Sequence, residues 1–157
     1  MGKSNAKRNA VVSIGGNVGK FSAQKAKKDG ELKRIITRVC VPEPDLGLIA
    51  QLCVDPGAAE AAMVAAAEAR AKIELPVRKD EMVVRWKAGK KILASNEGVS
   101  LREIVLHGEK DEVIVEFGEP FLSEVGGFYL ENLGMPLTIE IEAQQKELEF
   151  QGEDAGS

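Results

Sequence analysis

Two segments of the chain have the same order of hydrophobic and polar positions. In each, this order predicts a β-hairpin followed directly by an apolar helix. In the first segment, residues 20–52, a charged turn at 27–30 precedes a strand at 32–41. The alternation places Ile35, Thr37, Val39 and Val41 on one face of that strand and Ile36, Arg38 and Cys40 on the other, and it predicts that one of the two faces packs on the core. Asp45 is then a suitable N-cap for a short helix, because Pro44 discourages an earlier helical start.

The second segment, residues 99–133, repeats this order. A turn at 108–111 precedes a strand at 113–117, and a helix over about 121–133 follows the pair Glu119-Pro120. Gly134 is placed to end that helix as a C-cap. The repetition predicts two hairpin-plus-helix units arranged around a mostly antiparallel sheet.

Glycine and alanine mark the chain outside these two units. The run Gly15-Gly16-Asn17 has the composition of a tight turn between short strands at 9–14 and 18–26. Asp55 is a plausible N-cap, with a proline at the first helical position, for an alanine-rich helix over 58–71. A final strand is predicted to start at Pro136.

Length and composition fit one domain of α+β class with an extra alanine-rich helix. A chain of 157 residues with 44% apolar content is expected to bury roughly 70% of its unfolded surface and to fold without disulfides or metal. We assign residues 11–150 to this domain, residues 1–10 to a mobile basic arm and residues 151–157 to a polar tail.

The net charge of −4 conceals an asymmetry along the chain. Residues 1–28 hold seven Lys or Arg and no acid, which leaves 14 bases against 25 acids in the rest. Basic arms neutralise phosphates and release counterions, so the arm is a candidate for nucleic-acid contact through Lys3, Lys7 and Arg8. A solubilising terminus is the alternative interpretation.

Residues 72–97 are predicted to form strands, with a hairpin turn at Ala88-Gly89. Between residues 78 and 91, six bases and only two acids surround the single tryptophan of the chain. Basic residues beside an aromatic ring are typical of surfaces that hold a phosphate backbone and stack a base. The candidate nucleic-acid-binding residues here are Arg78, Lys79, Arg85, Trp86, Lys87, Lys90 and Lys91. The alternative is a core tryptophan beneath a charged hairpin whose lysines discourage aggregation.

Signatures of catalysis and of metal binding are missing from the sequence. His107 is the only histidine, and Cys40 and Cys53 do not have a recognisable zinc spacing. The segment 14–21 resembles a phosphate loop but lacks its spacing, and Phe21 stands where Ser or Thr is needed. We therefore expect no enzyme, no cofactor and no metal. The open alternative is that carboxylates meet in space, with three candidates: Glu103, Glu112 and Glu116.

The cysteine content and the hydropathy of the chain bear on its location. Two cysteines without a signal peptide, and no apolar run near 18 residues, favour a reduced and soluble setting. We expect a cytoplasmic protein.

Two stretches resemble short proteins encoded in phage and prophage early regions. The first is residues 25–52, with the strand Arg34-Ile35-Ile36-Thr37-Arg38-Val39-Cys40-Val41-Pro42, and the second is the ending Gly134-Met135-Pro136-Leu137-Thr138-Ile139-Glu140-Ile141 with residues 144–150. The resemblance covers about a third of the chain and carries over no site residue. It implies a role in nucleic-acid transactions or in interference with host defence, inside the host cytoplasm.

The leading hypothesis is a non-enzymatic accessory protein that binds nucleic acid through the basic hairpin and the N-terminal arm. The first alternative is an inhibitor of a host protein, in which the acidic body meets a basic partner. The second is a virion or assembly subunit that forms homo-oligomers. Nucleic-acid binding predicts that the basic side chains of the hairpin converge on one surface.

Overall fold

The structure, a computed structural model, describes residues 11–25, 32–120, 123–132 and 134–144. The predicted arm at 1–10, the turn at 27–30 and the tail at 151–157 lie outside these residues. In chain order the elements are β1 (Val12–Lys25), β2 (Leu32–Pro42), α1 (Leu46–Ala50), α2 (Pro56–Glu68), β3 (Lys72–Leu75), β4 (Glu81–Ala88), β5 (Lys91–His107), β6 (Glu112–Pro120), α3 (Ser123–Asn132) and β7 (Pro136–Ala143).

All seven of these strands belong to one antiparallel sheet. Strand β1 pairs with β2 and β7, β4 pairs with β7 and β5, and β6 pairs with β2 and β5. Strand β3 pairs with the C-terminal part of β5. Because β5 pairs with β6 as well as with β4, the sheet curls back on itself as a half-barrel.

The predicted α+β fold of two hairpin-plus-helix units is wrong, because the described part of the chain is mostly β, with 56% strand and 22% helix. The strands of the two predicted units are neighbours in the same sheet. Strand β2 pairs with β6 in unbroken register from Arg34 opposite Pro120 to Pro42 opposite Glu112. This long-range pairing, about 80 residues apart at its mid-point, joins both hairpins into one curled layer.

The predicted tight turn at 15–17 is also wrong, since β1 runs through it without a break. A Cβ atom on Gly16 would lie 2.9 Å from Val39 Cγ1 and 3.2 Å from the Cys40 carbonyl oxygen. Gly16 therefore serves the close approach of β1 to β2 rather than a reversal of the chain.

The two predicted helix N-caps are confirmed. The Asp45 carboxylate accepts a hydrogen bond from the Leu48 N–H at 3.2 Å, and the Asp55 carboxylate accepts one from the Ala58 N–H at 3.2 Å. Helix α2 ends at Glu68, three residues before the predicted end, and Arg70 beyond it adopts a left-handed φ of 55°.

Turn positions differ slightly from those predicted. Ala88 pairs with Lys91, so the β4–β5 turn consists of Gly89 and Lys90, one residue later than expected, and Gly89 has a φ of 63°. Gly134 has a φ of 78°, as a glycine after a helix commonly does, and β7 begins at Pro136 as predicted.

The inner face of the curled sheet holds the core. The predicted alternation on β2 is confirmed, and the structure identifies the inward face as that of Ile35, Thr37, Val39 and Val41, which are all buried. Helices α1 and α2 add side chains such as Ile49 and Met63, both completely buried. Tyr129 of α3 is also buried, which fixes α3 over part of the inner face.

Candidate functional site

The side chain of Trp86 lies inside the curled sheet and is 2% exposed. Its ring packs against Phe128 and Tyr129 of α3 with centroids 5.9 Å away in each case, and its Nε1–H donates to the Tyr129 hydroxyl at 3.3 Å. A nucleic-acid base therefore cannot stack on Trp86, and the assignment of this residue to a binding surface is corrected. Inward alternation along β4 explains the burial, because Met82 and Val84 share its face.

Two of the predicted hairpin cations are already paired with acids of the neighbouring strand. Arg85 contacts Glu142 and donates to Glu140 at 3.3 Å, while Lys87 Nζ lies 2.8 Å from Glu140. The hydrogen bond from Lys87 lowers the pKa of Glu140, against burial that favours its neutral form. These two cations lie on the outer face of the sheet with their charge largely compensated.

The remaining predicted cations divide between opposite ends of β4. Arg78 donates to Asp80 at 3.1 Å, and Lys79 beside it is exposed, just before β4 starts. Lys90 and Lys91 are exposed just after β4 ends. Eight residues at about 3.3 Å each separate the two groups by about 26 Å, so they do not converge on one surface. Lys3, Lys7 and Arg8 lie outside the described residues.

An open groove of about 730 Å³ lies beside the β4–β5 turn. Its lining includes Ser13 and Gly15 of β1, Thr138 of β7 and Lys87 and Gly89 at the end of β4. This volume is in the range of small-molecule and segment-binding clefts. The groove is therefore large enough to hold a small molecule or a short polymer segment.

The opposite wall of the groove is the loop between β2 and α1 with the first turn of that helix. Apolar contact surface comes from Pro42, Pro44 and Leu48, and carboxylates come from Glu43 and Asp45. Glu43 has a left-handed φ of 46° and donates its N–H to the Asp111 carbonyl at 2.9 Å. This backbone hydrogen bond fixes the acidic wall against the β5–β6 turn.

Sequence reasoning missed a buried polar cluster on the inner face, formed by Thr37, Asn96, Glu119 and Tyr129. The carboxylate of Glu119 accepts hydrogen bonds from Thr37 at 2.9 Å, from Asn96 Nδ2 at 3.0 Å and from the Tyr129 hydroxyl. Glu119 is 1% exposed. The cluster joins β2, β5 and β6 to α3, and Trp86 of β4 donates to its tyrosine.

The signal for this cluster was present in the alternation of β6. Val113, Val115 and Phe117 point inward, and the same period places Glu119 inward as well. The predicted strand ended at residue 117, so the predicted pattern did not include Glu119. An acid at an inward strand position needs donors from other elements, which sequence order alone does not identify.

Burial raises the pKa of Glu119 above its usual value, although the hydrogen bonds from Tyr129, Asn96 and Thr37 and the nearby charge of Arg34 oppose the shift. Burial likewise raises the pKa of Tyr129 well above its usual value, and the neighbouring Glu119 adds to that shift. The tyrosine is thus a neutral donor at ordinary pH, and the folded state favours protonation of the carboxyl.

We expect Glu119→Gln to flatten the pH dependence of stability. Because the folded-state pKa of Glu119 is raised, its contribution is fully present below the usual pKa of glutamate and is lost as the pH rises through the folded pKa. The wild-type free energy of unfolding, relative to that of the variant, should therefore fall with rising pH over that window. Urea unfolding of both proteins from about pH 4 to 8 measures this difference, and parallel curves would contradict it.

Other groups considered for chemistry are placed as structural residues. Cys40 and Cys53 are both free thiols, and burial raises the pKa of Cys53 to about 11. Glu103 and Glu116 are opposite in register, but the Glu116 carboxylate contacts Arg38 and Arg102. Among the described residues, no three His, Cys, Asp or Glu side chains form a group that could hold a metal ion.

Comparison with known proteins yields no relative. No family model matches the chain, and no curated protein or solved structure matches it either. The resemblance to phage early-region proteins thus stays a prediction. Within the described ranges, the helices are too short or too polar to cross a bilayer.

Proposed function

We propose that this is a non-catalytic binding protein that holds single-stranded nucleic acid in the groove beside the β4–β5 turn. In this proposal the turn lysines contact phosphates and the apolar wall of the groove contacts bases. The observation that carries it is that the exposed Lys90 and Lys91 directly follow Gly89, a residue of the groove lining that also includes Lys87. The basic N-terminal arm, with Lys3, Lys7 and Arg8, adds further phosphate contacts.

The exposure of the lysines beside the groove supports the proposal. Lys90 and Lys91 are both exposed at the turn, and Lys87 lines the groove directly below them. Lysines at a turn reach a polymer backbone without reading its sequence, as single-strand-binding grooves require.

The floor of the groove supports the proposal through its shape. A Cβ atom added to Gly15 or Gly89 would meet no other atom within 4 Å, so both glycines face open space. Ser13 and Thr138 complete a floor of small side chains. A ligand backbone can approach such a floor closely, which larger residues would prevent.

The acidic wall of the groove determines the orientation of a bound nucleic-acid strand. Phosphates are repelled by Glu43 and Asp45, so they belong at the lysine rim and the bases belong at the wall. Carboxylates accept hydrogen bonds from the amino groups of bases, cytosine N4 among them. In a duplex the base faces are stacked on one another and cannot contact the apolar wall, so the proposal predicts a preference for single strands.

Binding is tested with fluorescently labelled single-stranded DNA, single-stranded RNA and duplex DNA of about twelve nucleotides. Fluorescence anisotropy at about 50 and 200 mM salt reports affinity and its salt dependence. We expect Lys90→Ala/Lys91→Ala to weaken single-strand binding about tenfold and to reduce the salt slope by about 1 for each lysine removed. The matched control is Lys72→Ala/Lys79→Ala, which makes the same charge change at exposed positions outside the lining of the groove.

A groove-filling variant separates the groove from general charge. Gly15→Leu places a side chain in open space on the groove floor, and Ser95→Leu adds the same side chain to an exposed position of β5. The proposal requires loss of binding in the first and not in the second. Absence of binding to every polymer at about 50 mM salt, or equal losses in the two lysine doubles, would overturn it and favour a protein partner or self-assembly.

A further inference from the structure

Two arginines on the outer face of the sheet share one carboxylate. Arg38 Nε of β2 lies 2.8 Å from Glu116 Oε1, and Arg102 Nε of β5 lies 3.0 Å from Glu116 Oε2. Each oxygen of the carboxylate thus accepts from a different guanidinium. We call these three residues the arginine pair site.

The register of the sheet brings the three residues together. Arg38 and Glu116 are direct partners in the β2–β6 ladder. In the β5–β6 ladder the register shifts between Leu101 and Glu103, so Arg102 occupies a bulge. Bulges redirect a side chain and are common next to functional sites. Here the bulge allows Leu101 to face the core while Arg102 reaches Glu116 on the outside.

Exposure shows which way the site opens. The side chain of Glu116 is 11% exposed, whereas those of Arg38 and Arg102 are 51% and 48% exposed. Both arginines use Nε for the carboxylate, and among the described residues their η nitrogens have no hydrogen-bond acceptor. The η nitrogens, which form the outer edge of each guanidinium, are therefore more accessible to a ligand from solvent than the carboxylate is.

Within the arginine pair site the cations outnumber the carboxylate. Burial disfavours the charged form of Glu116, but hydrogen bonds from Arg38 and Arg102 outweigh it and lower its pKa, so the carboxylate is ionised and holds both guanidiniums. One carboxylate between two guanidiniums leaves a positive balance. Around the site, Arg34 on the same face of β2 adds positive charge, and Glu103 and Glu112 add negative charge.

We propose that the arginine pair site binds a phosphate group through the η edges of Arg38 and Arg102. Guanidinium edges match the geometry of phosphate oxygens and donate two parallel hydrogen bonds each, which an ammonium cannot do. The phosphate belongs either to a small compound such as a nucleoside monophosphate or to the backbone of a polynucleotide. Arg38 lies about 13 Å along β2 from Pro42, a residue of the groove. One nucleic-acid strand can therefore contact both the arginine pair site and the groove.

Binding is measured first with inorganic phosphate, by the broadening of its ³¹P resonance as protein is added. We expect Arg38→Lys/Arg102→Lys to weaken phosphate binding about tenfold although it keeps both charges. The matched control Arg78→Lys/Arg85→Lys changes two other paired arginines and should bind phosphate as the wild type does. No broadening with the wild type, or equal broadening with the lysine double, would overturn the proposal.

Two further binding experiments identify the role of Glu116 and the type of compound that carries the phosphate. Glu116→Gln removes a negative charge, so simple attraction predicts tighter binding, whereas a carboxylate that positions both guanidiniums predicts weaker binding, as we expect. Adenosine monophosphate and a labelled single strand of about twelve nucleotides are then compared in the wild type and in the lysine double. A loss confined to the mononucleotide assigns a small phosphate compound, and a loss shared by the strand assigns a polynucleotide backbone.

The proposal for the arginine pair site and the proposal for the groove can be refuted independently. The Arg38→Lys/Arg102→Lys variant changes the arginine pair site and leaves every residue of the groove lining, and Lys90 and Lys91, as they are. Normal phosphate binding in a protein that binds no polymer would refute only the proposed function. Polymer binding without phosphate binding would refute only this inference.

Discussion

Replacing Glu119 with leucine is expected to lower the free energy of unfolding by about 3–5 kcal/mol. The carboxylate is the shared acceptor of Thr37, Asn96 and Tyr129, all within the buried polar cluster. Leucine offers these donors no acceptor, and each buried donor left unsatisfied costs about 1–3 kcal/mol. The relief of burying a carboxylate offsets part of this cost, which is why the simple sum is not reached. Urea unfolding followed by the fluorescence of Trp86, the only tryptophan, measures the change.

A double-mutant cycle determines whether the cluster acts as a unit. Tyr129→Phe removes one donor and leaves the Trp86 N–H without its acceptor, so a loss of about 1–3 kcal/mol is expected. In Glu119→Leu/Tyr129→Phe the loss should be smaller than the sum of the single losses, because the two groups are direct partners. Glu97→Leu, at an exposed position of β5, serves as the control and should change stability by less than about 0.5 kcal/mol. A Glu119→Leu protein as stable as the wild type would contradict the hydrogen bonding described for the cluster.

Local features of the fold were predictable because they depend on neighbours in sequence. The division of β2 into two faces follows from alternation, and the caps at Asp45 and Asp55 follow from a carboxylate three residues before an unpaired N–H of the first helical turn. Each of these features is decided within a few residues of the chain. Composition and spacing are sufficient for them.

The fold class was not predictable in the same way. It depends on the pairing of β2 with β6, and no local pattern states which strand will be the neighbour of which. The run Gly15-Gly16-Asn17 shows the same limit. Its composition is that of a turn, but Gly16 is needed where β1 crowds Val39, a contact set by the pairing of two strands.

In the candidate site, too, the residue types were predictable from the sequence, but their partners were not. Charge counting identified the cations of β4, but their acids Glu140 and Glu142 are more than 50 residues later in the chain, and Trp86 is buried by α3 and β7. A sequence lists cations without showing which are already paired. The groove and the arginine pair site are both products of the three-dimensional pairing of strands.

Gly108 carries the second large expected effect. The sequence suggests a turn glycine there, yet its φ is not in the left-handed region, and Asp111 at the end of the same turn has the left-handed φ of 52° instead. A Cβ atom on Gly108 would lie 2.6 Å from the Ala71 carbonyl oxygen, 2.7 Å from the Ala66 carbonyl oxygen and 2.8 Å from the Ala71 nitrogen. All three are backbone atoms, so no side-chain rotation can relieve the contact.

We therefore expect Gly108→Ala to lower the free energy of unfolding by about 3 kcal/mol, at the upper end of overpacking costs. The chain after α2 would have to move away from the β5–β6 turn, and this would break the hydrogen bond from the Gly108 N–H to the Ala71 carbonyl at 2.8 Å. Gly15→Ala is the matched control, since its added Cβ meets nothing within 4 Å, and it should be neutral or more stable by up to about 1 kcal/mol. Equal stability of the two variants in urea would mean that Gly108 is required neither for space nor for this hydrogen bond. A loss in Gly108→Ala alone would establish that this glycine is needed for packing against the end of α2, and not for the turn that its sequence position suggests.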